Sequence, residues 1–274
     1  MNATSYIELT MEIGEEALRS RLIAELSAMG YDGFEETDNQ LKAYITQSAF
    51  LEADVDKILR QHAIICSKSI LNEQNWNQVW ESNFEPVQVD DFVGIRAAFH
   101  KPFTGVEHEI VITPKMSFGT GHHATTWLMM QLMRGLDFNE KTVFDFGTGT
   151  GILAILAEQL GAKRVRAVDN DAWCIDNALE NSLVNGCKIV DIEKVSSAQN
   201  RQQFDIVLAN INRNIILDNL HFITASLVPG GQLLLSGLLT DDEKDILVAC
   251  EQSGLKPVVT RTRNGWIAMH LFRN

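Results

Sequence analysis

Three short segments place chemically useful residues at the ends of predicted strands. An apolar run, Thr142 to Phe146, enters a turn containing Gly147, Gly149 and Gly151, and a helix-like apolar pattern follows the turn. Glycine lets the backbone take positive φ and leaves no Cβ atoms between a ligand and the main chain. The next predicted strand ends in Asp169, about twenty residues beyond the turn, where a carboxylate can accept both hydroxyls of a ribose. This pattern predicts a nucleoside site.

Asn210 follows the apolar run Ile206 to Ala209 and is the first candidate for contact with a second substrate. In a doubly wound sheet, the carboxyl ends of the strands deliver side chains into a crevice. The amide oxygen of Asn210 can accept an N–H from an amine, and the main-chain carbonyl of Ile211 or Asn212 can accept another. An amine held in this way is aligned for an in-line displacement. An asparagine that simply ends a strand in a turn is the ordinary alternative.

The glycine turn can be read in two registers. A dinucleotide fingerprint fits Gly149-Thr-Gly151-Ile-Leu-Ala154 weakly, through the alanine variant of its last position. The register acidic-x-Gly-x-Gly-x-Gly uses Asp145 and all three glycines, and it resembles the turn of enzymes that bind S-adenosylmethionine. A buried glycine turn without a ligand is the ordinary structural alternative.

A second polar loop, residues 118–126 (Phe-Gly-Thr-Gly-His-His-Ala-Thr-Thr), precedes a helix predicted over 127–136. Thr125 or Thr126 can cap that helix, and either hydroxyl could also contact a ligand in the nearby crevice. His122 and His123 suggest a metal, but adjacent side chains point apart and no carboxylate lies at ligand spacing. We therefore predict no metal site.

The chain has 274 residues, is 45% hydrophobic and carries a formal net charge of −13. This length allows two domains, or one domain with a substantial extension. This negative charge disfavours a phosphate backbone as the main partner and favours a basic protein. The acidic excess is greatest in the first 63 residues, and a solvated surface is the ordinary explanation for it. No apolar stretch approaches the length of a membrane span and the start lacks a signal-peptide pattern, so we expect a cytoplasmic protein without a membrane partner. Four scattered cysteines, at 66, 174, 187 and 250, predict reduced thiols.

The first part of the chain is predicted to be a small α+β domain. Its elements follow the order strand, helix, strand, strand, helix, strand, the split βαβ pattern of a ferredoxin-like domain. The predicted strands are residues 6–11, 33–37, 41–46 and 63–66, and the predicted helices are residues 15–29 and 51–62.

The second part alternates strands with helices, which predicts a seven-stranded, doubly wound, mostly parallel α/β sheet. Helical patterns separate the first five strands. The turn Arg263-Asn-Gly265 joins the last two strands and implies one antiparallel strand at the end of the sheet. The predicted strands are residues 142–147, 164–169, 188–195, 205–210, 231–237, 257–262 and 266–272.

These patterns divide the chain into a ferredoxin-like domain over 1–72, a connector over 73–90 and a doubly wound domain over 91–274. Trp76 and Trp80 lie one helical turn apart in the connector, and we expect them to pack it onto the second domain.

Several segments together resemble the bacterial methyltransferases that modify large-subunit ribosomal protein L11. They are Trp76-x-x-x-Trp80-x-x-x-Phe84-x-Pro86, Phe118-Gly-Thr-Gly-x-His123-x-Thr-Thr126, the glycine turn at 145–151, Ala209-Asn-Ile211 and Leu235-Ser-Gly-Leu238. The loop at 118–126 is far more specific than the glycine turn. The chain departs from the family pattern at Lys115, His122, Ala124 and Thr148.

The resemblance implies S-adenosylmethionine as the cofactor and multiple methylation of lysine side chains and the N-terminal amine of ribosomal protein L11, free or on the ribosome. It also implies that the N-terminal domain recognises this basic substrate. We expect a monomer without sequence-specific contact to nucleic acid. Asn210 is the candidate catalytic residue. The candidate cofactor contacts are Phe118, Thr125, Thr126, Asp145, Gly147, Gly149, Asp169 and Asn210.

Three other functions remain to be distinguished. An amino-group methyltransferase acting on adenine in nucleic acid also places Asn or Asp after the fourth strand, but Asn210-Ile-Asn-Arg213 lacks the prolines and the aromatic residue that would stack on a flipped base. A non-catalytic ribosome-associated factor could retain the cofactor pocket. A dehydrogenase is the third alternative.

Overall fold

The computed structural model describes residues 5–37, 39–71, 84–115, 118–200 and 202–274. The chain divides into two compact units, residues 1–79 and 80–274. Trp76, Trp80 and most of the expected connector lie outside the described residues. Among the helices that are described, none is both long and apolar enough to cross a membrane.

The first unit has the predicted order of elements. Its four strands form an antiparallel sheet in the order β2-β3-β1-β4, which is the split βαβ arrangement. Alternate residues of β1 point into a core that also receives Leu22 and Leu26 of α1, so the two-residue period of the strand meets the helical period of α1. The elements are β1 (Tyr6–Glu12), α1 (Glu16–Ala28), β2 (Gly33–Thr37), β3 (Gln40–Thr46), α2 (Glu52–Gln61) and β4 (Cys66–Leu71).

The prediction of a strand over 63–66 is wrong, because β4 begins only at Cys66. Ala63 has a φ of 52°, and the N–H of Ile64 donates to the carbonyl of Leu59 at 2.9 Å. The chain therefore closes the end of α2 over these residues. Ile64 is apolar because it packs against the core of this unit and not because it lies in a strand.

The second unit begins with a three-stranded sheet that the sequence patterns did not predict. It contains β5 (Val87–Val89), β6 (Val93–Ala97) and β7 (His108–Ile112), with β5 antiparallel and β7 parallel to β6. Its buried face packs with α3 (Ala124–Met133) in one apolar cluster. The tight turn between β5 and β6, where Asp90 has a φ of 47°, leaves runs too short to show a clear period.

The larger sheet has the predicted seven strands, in the order β10-β9-β8-β11-β12-β14-β13. Strand β14 is antiparallel to both of its neighbours, and the other pairings are parallel. The elements are β8 (Thr142–Phe146), α4 (Ile152–Gln159), β9 (Arg164–Asp169), α5 (Ala172–Val184), β10 (Val190–Lys194), β11 (Phe204–Asn210), α6 (Arg213–Ala225), β12 (Leu227–Leu239), α7 (Glu243–Gln252), β13 (Leu255–Arg263) and β14 (Trp266–Arg273).

Two details of this sheet differ from the predictions. The antiparallel strand lies between β12 and β13 instead of at the end of the sheet, because the hairpin at Asn264 and Gly265, both with positive φ, folds β13 to the outside. Residues 195–200, 202 and 203, between β10 and β11, contain no helix. Here Ala198 is buried, and its N–H donates to the side-chain oxygen of Asn219 on α6 at 3.0 Å.

The core explains why the central strands are almost continuously apolar. Neighbouring residues of one strand enter different clusters: Val143 and Ile206 belong to one cluster, whereas Phe144 and Val207 belong to the other. A parallel sheet covered on both faces requires this composition.

Candidate active site

The carboxyl ends of β9, β8 and β11 lie side by side and border a cavity of about 560 Å³. Five of the candidate residues line this cavity, namely Phe118, Gly147, Gly149, Asp169 and Asn210. The lining, taken over the described residues, leaves out Thr125, Thr126 and Asp145. These three are buried, and Thr126 and Asp145 contact Asn210 and Thr148, respectively.

The glycine turn is crowded at two of its positions, where a Cβ atom would force a neighbouring group to move. Gly147 and Gly149 have φ values of 81° and 54°. A Cβ atom on Gly147 would lie 2.2 Å from Cγ2 of Ile211, and one on Gly149 would lie 2.4 Å from the carbonyl oxygen of Phe118. The main chain of the turn therefore borders the cavity without side chains, as the spacing predicted.

Asp169 is fixed by the turn on one side and by its own loop on the other. Its Oδ2 accepts from the N–H of Gly149 at 2.9 Å, and its Oδ1 accepts from the N–H of Asp171 at 3.1 Å. Each carboxylate oxygen has a further lone pair that can accept a hydroxyl. The side chain is thus oriented before any ligand binds.

Asp145 lies in β8 directly before the turn and is 1% exposed. Its Oδ2 accepts from the hydroxyl of Thr148 at 2.6 Å, whereas Oδ1 has no partner within the described part of the chain. Burial, opposed by the Thr148 hydrogen bond and reinforced by the charge of Asp169, raises the pKa of Asp145 to about 7. Through its hydrogen bond to Thr148, the buried carboxyl group of Asp145 holds the glycine turn in place.

Asn210 ends β11 and is one of the residues that line the cavity, although only 8% of it is exposed. Its Nδ2 donates to the hydroxyl oxygen of Thr126 at 3.3 Å. Its Oδ1 is buried and has no hydrogen-bond partner among the residues that the structure describes. Because buried polar atoms are normally paired, this oxygen retains capacity for a donor from a bound molecule.

Helix α3 begins three residues earlier than predicted, at Ala124, and neither threonine is its cap. His123 is the N-cap residue, and its Nδ1 accepts from the N–H of Thr125 at 3.4 Å and lies 2.8 Å from the hydroxyl of that residue. The two threonines occupy the first turn and point into the unit, where Thr126 contacts Asn210.

The sequence patterns missed two aromatic residues of the cavity wall, His123 and Trp266. Their rings meet edge to face with centroids 4.6 Å apart, and the ring of Phe118 lies 5.2 Å from that of His123. Burial lowers the pKa of His123, which keeps the ring neutral. Only the position of β14 inside the sheet brings Trp266 here, so its place in the sequence gave no direct signal.

The two adjacent histidines have separate surroundings. His122 packs edge to face on Phe84, and its Nδ1 lies 3.1 Å from the hydroxyl of Thr120. Within the described ranges, no group of three His, Cys, Asp or Glu side chains is arranged to hold a metal ion.

The strand order, the glycine turn after the first strand of the larger sheet and the carboxylate at the end of the second define a Rossmann-like methyltransferase fold. A family model described as ribosomal protein L11 methyltransferase (PrmA) matches residues 6–274. The chain belongs to this family.

Individual relatives agree with this assignment. A protein from Porphyromonas gingivalis named ribosomal protein L11 methyltransferase is 40% identical over 270 residues, which cover 96% of this chain and 92% of that relative. One of the same name from Chlorobaculum parvum is 37% identical and covers 93% of each chain. The crystal structure of a ribosomal protein L11 methylase from Lactobacillus delbrueckii subsp. bulgaricus is 29% identical, with a TM-score of 0.65 over 70% of this chain and 100% of that chain.

Proposed function

We propose that this protein transfers methyl groups from S-adenosylmethionine to lysine side-chain and N-terminal amines of ribosomal protein L11. Membership of the family supports the reaction and the substrate. The observation that carries the mechanism is that Asn210 lines the cavity beside the glycine turn while its buried Oδ1 lacks a partner within the described ranges.

The cavity fits the proposed cofactor. Bare main chain at Gly147 and Gly149 lets a bulky group approach closely, and the oriented carboxylate of Asp169 keeps lone pairs for ribose hydroxyls. The ring of Phe118 offers an apolar face in the same cavity. When bound, the cofactor supplies a methyl group attached to a sulfonium sulfur. Thr125, Thr126 and Asp145 act indirectly in this proposal.

Asn210 has the central part in acceptor alignment. A lysine or α-amino group arrives mostly protonated, and its transfer from water into the cavity favours release of the proton to solvent and the neutral form of the amine. The Oδ1 of Asn210 accepts one N–H of the neutral amine, and the carbonyl of Ile211 accepts a second, which aims the lone pair along one direction. The carbonyl of Asn212 is a weaker candidate because it already accepts from the N–H of Ile216 in α6.

We also propose that the acidic N-terminal unit recognises the basic substrate through charge complementarity, and that the enzyme acts as a cytoplasmic monomer on free or ribosome-bound L11. The carboxyl groups that this unit offers include Glu12, Glu35 and Glu36, all exposed.

Incubation with radiolabelled S-adenosylmethionine and either purified L11 or DNA tests the proposed function. We expect label in L11 and none in DNA, with mass spectrometry locating the methyl groups on amines. Label in DNA alone would contradict the proposal. Binding of the cofactor without transfer to either substrate would favour a non-catalytic factor.

A further inference from the structure

Helix α5 and its C-cap residue Asn185 present three asparagines, four residues apart, to the end of β7 and the chain beyond it. The amide of Asn185 accepts from the N–H of Val111 at 2.9 Å and donates to its carbonyl. The Oδ1 of Asn181 accepts from the N–H of Thr113 at 2.8 Å, and the Nδ2 of Asn177 donates to its carbonyl at 3.2 Å. These three side chains, here called the amide ladder, pair with the backbone as a neighbouring strand would.

Asn181 also reaches the glycine turn. Its Nδ2 donates to the carbonyl of Thr150 at 2.9 Å. Thr150 in turn holds the polar loop. Its N–H donates to the carbonyl of Phe118 at 3.1 Å, and its hydroxyl donates to the carbonyl of Gly119 at 2.7 Å. Thr113 before the loop and Phe118 within it are therefore tied to the same turn.

The residues that link α5 to the polar loop are buried, whereas Phe118 in that loop is exposed. Asn181 and Thr150 are both completely buried, and neither lines the cavity. Both polar atoms of the Asn181 amide are paired with main-chain groups, so an apolar residue of the same size would leave the part-buried N–H of Thr113 and the buried carbonyl of Thr150 without partners. Phe118, by contrast, is 53% exposed and lines the cavity, so its own packing leaves its position weakly restrained.

We propose that Asn181 and Thr150 are positioning residues that hold Phe118 against the glycine turn, and that cofactor affinity depends on this connection. The inference rests on the proposed function, in which Phe118 and the turn contact the cofactor. It assigns the two residues no contact with the reacting atoms. Their effect should therefore fall on cofactor binding and leave the rate of the bound complex nearly unchanged.

The first experiment replaces one hydroxyl. Thr150→Val keeps the shape and the main-chain bond to Phe118 but removes the donor to Gly119, whereas Thr150→Ser keeps the donor. We expect Thr150→Val to raise the calorimetric dissociation constant for S-adenosylmethionine and the KM for it by about tenfold, with kcat at saturation within about twofold of wild type. Thr150→Ser should restore both constants.

The second experiment compares two rungs of the amide ladder. Asn181→Leu and Asn185→Leu each remove a side chain that pairs with the same segment of backbone, but only Asn181 also contacts the glycine turn. We expect about a tenfold loss of cofactor affinity for Asn181→Leu and almost none for Asn185→Leu. Limited proteolysis should cut the polar loop at 118–123 faster in Asn181→Leu alone.

The outcomes separate this inference from the proposed function. If wild type binds the cofactor and Thr150→Val binds it equally well, the positioning role is refuted while the proposed function stands. Equal losses in the two leucine variants would also refute it, because they would reflect general loosening of α5. If wild type does not bind the cofactor, the proposed function itself fails. Should Asn181→Leu not fold, the Thr150 pair decides alone.

Discussion

Asp169 and Asn210 end two strands of one sheet and line one cavity, yet their polar atoms are used differently. Both oxygens of Asp169 accept main-chain N–H groups, including that of Gly149 in the turn. Asn210 uses its amide nitrogen on Thr126 and leaves its oxygen without a partner in the described structure. The glycine-turn side of the cavity is thus largely preorganised, whereas the Asn210 side keeps a hydrogen-bond acceptor that is not used within the described structure.

The largest effect should come from the Asn210 side. For Asn210→Ala we expect kcat to fall on the order of 100-fold, because the acceptor amine loses its alignment, while the cofactor dissociation constant changes by a smaller factor. Single-turnover methylation of L11 and calorimetry measure the two quantities. Ser236→Ala is the matched control, because Ser236 pairs with Asn210 in the register of β12 and its hydroxyl donates to the carbonyl of Ile267. An equal loss of rate in both variants would assign the effect to the sheet end as a whole.

Asp169→Asn should act on binding instead of rate. Removing the charge and turning an N–H₂ toward main-chain donors should weaken cofactor binding by about tenfold to a hundredfold. Asp171→Asn is the control, because Asp171 lines the same cavity and caps α5, and asparagine is an equally good cap. If calorimetry shows similar losses for both, the local negative charge and not the position of Asp169 governs affinity.

Gly149→Ala should show how rigid the glycine-turn side is. Alanine at Gly186, where φ is 68° and no described atom lies within 4 Å of a Cβ, should cost about 1 kcal/mol of backbone strain. Gly149→Ala adds a Cβ that meets the Phe118 carbonyl at 2.4 Å, so we expect about 2 kcal/mol more destabilisation in urea unfolding. If the two alanine variants lose the same free energy of unfolding, the Phe118 carbonyl moves away from the new Cβ atom at little cost.

Asp145 is tested through the pH dependence of stability, because its carboxyl group accepts from the hydroxyl of Thr148 in the glycine turn. Its pKa rises from 3.8 to about 7 on folding, so between these values the native state holds a proton that the unfolded chain releases. Stability from this group therefore falls as the pH rises, by on the order of 2 kcal/mol between about pH 5 and about pH 8.

The measurement is the difference in unfolding free energy between wild type and Asp145→Asn at these two pH values. His122, His123 and His270, whose pKa values are lowered by burial, contribute stability that is lost as the pH falls, and this opposing trend cancels in the difference. The variant should lack the Asp145 contribution. Parallel pH profiles would show that Asp145 keeps an ordinary pKa.

The sequence predicted the strands of the central sheet and five residues of the cavity lining, because each of these signals lies within one short segment. The glycine turn, Asp169 and Asn210 each follow an apolar run directly, and the end of a parallel strand fixes where the next residue lies. Short elements such as β5 and β6 were missed, since a run of a few residues shows no clear period.

The remaining errors arose where distant contacts decide the structure. The N-cap of α3 falls on His123, although threonine is the usual cap, because both threonines are drawn into the interior. Trp266 reaches the cavity only because β14 inserts between β12 and β13. Neither placement can be derived from residue spacing within one segment.

The place of β14 also has a consequence for synthesis on the ribosome. Strand β14 follows the other six in chain order but occupies an interior position, so the nascent chain exposes an open edge on β12 until the last strand has emerged. The wall that carries Trp266 is built at that moment. A partly synthesised chain can therefore form the glycine turn and place Asp169, but its cavity lacks the wall that Trp266 provides. The cavity is complete only when β14 has entered the sheet.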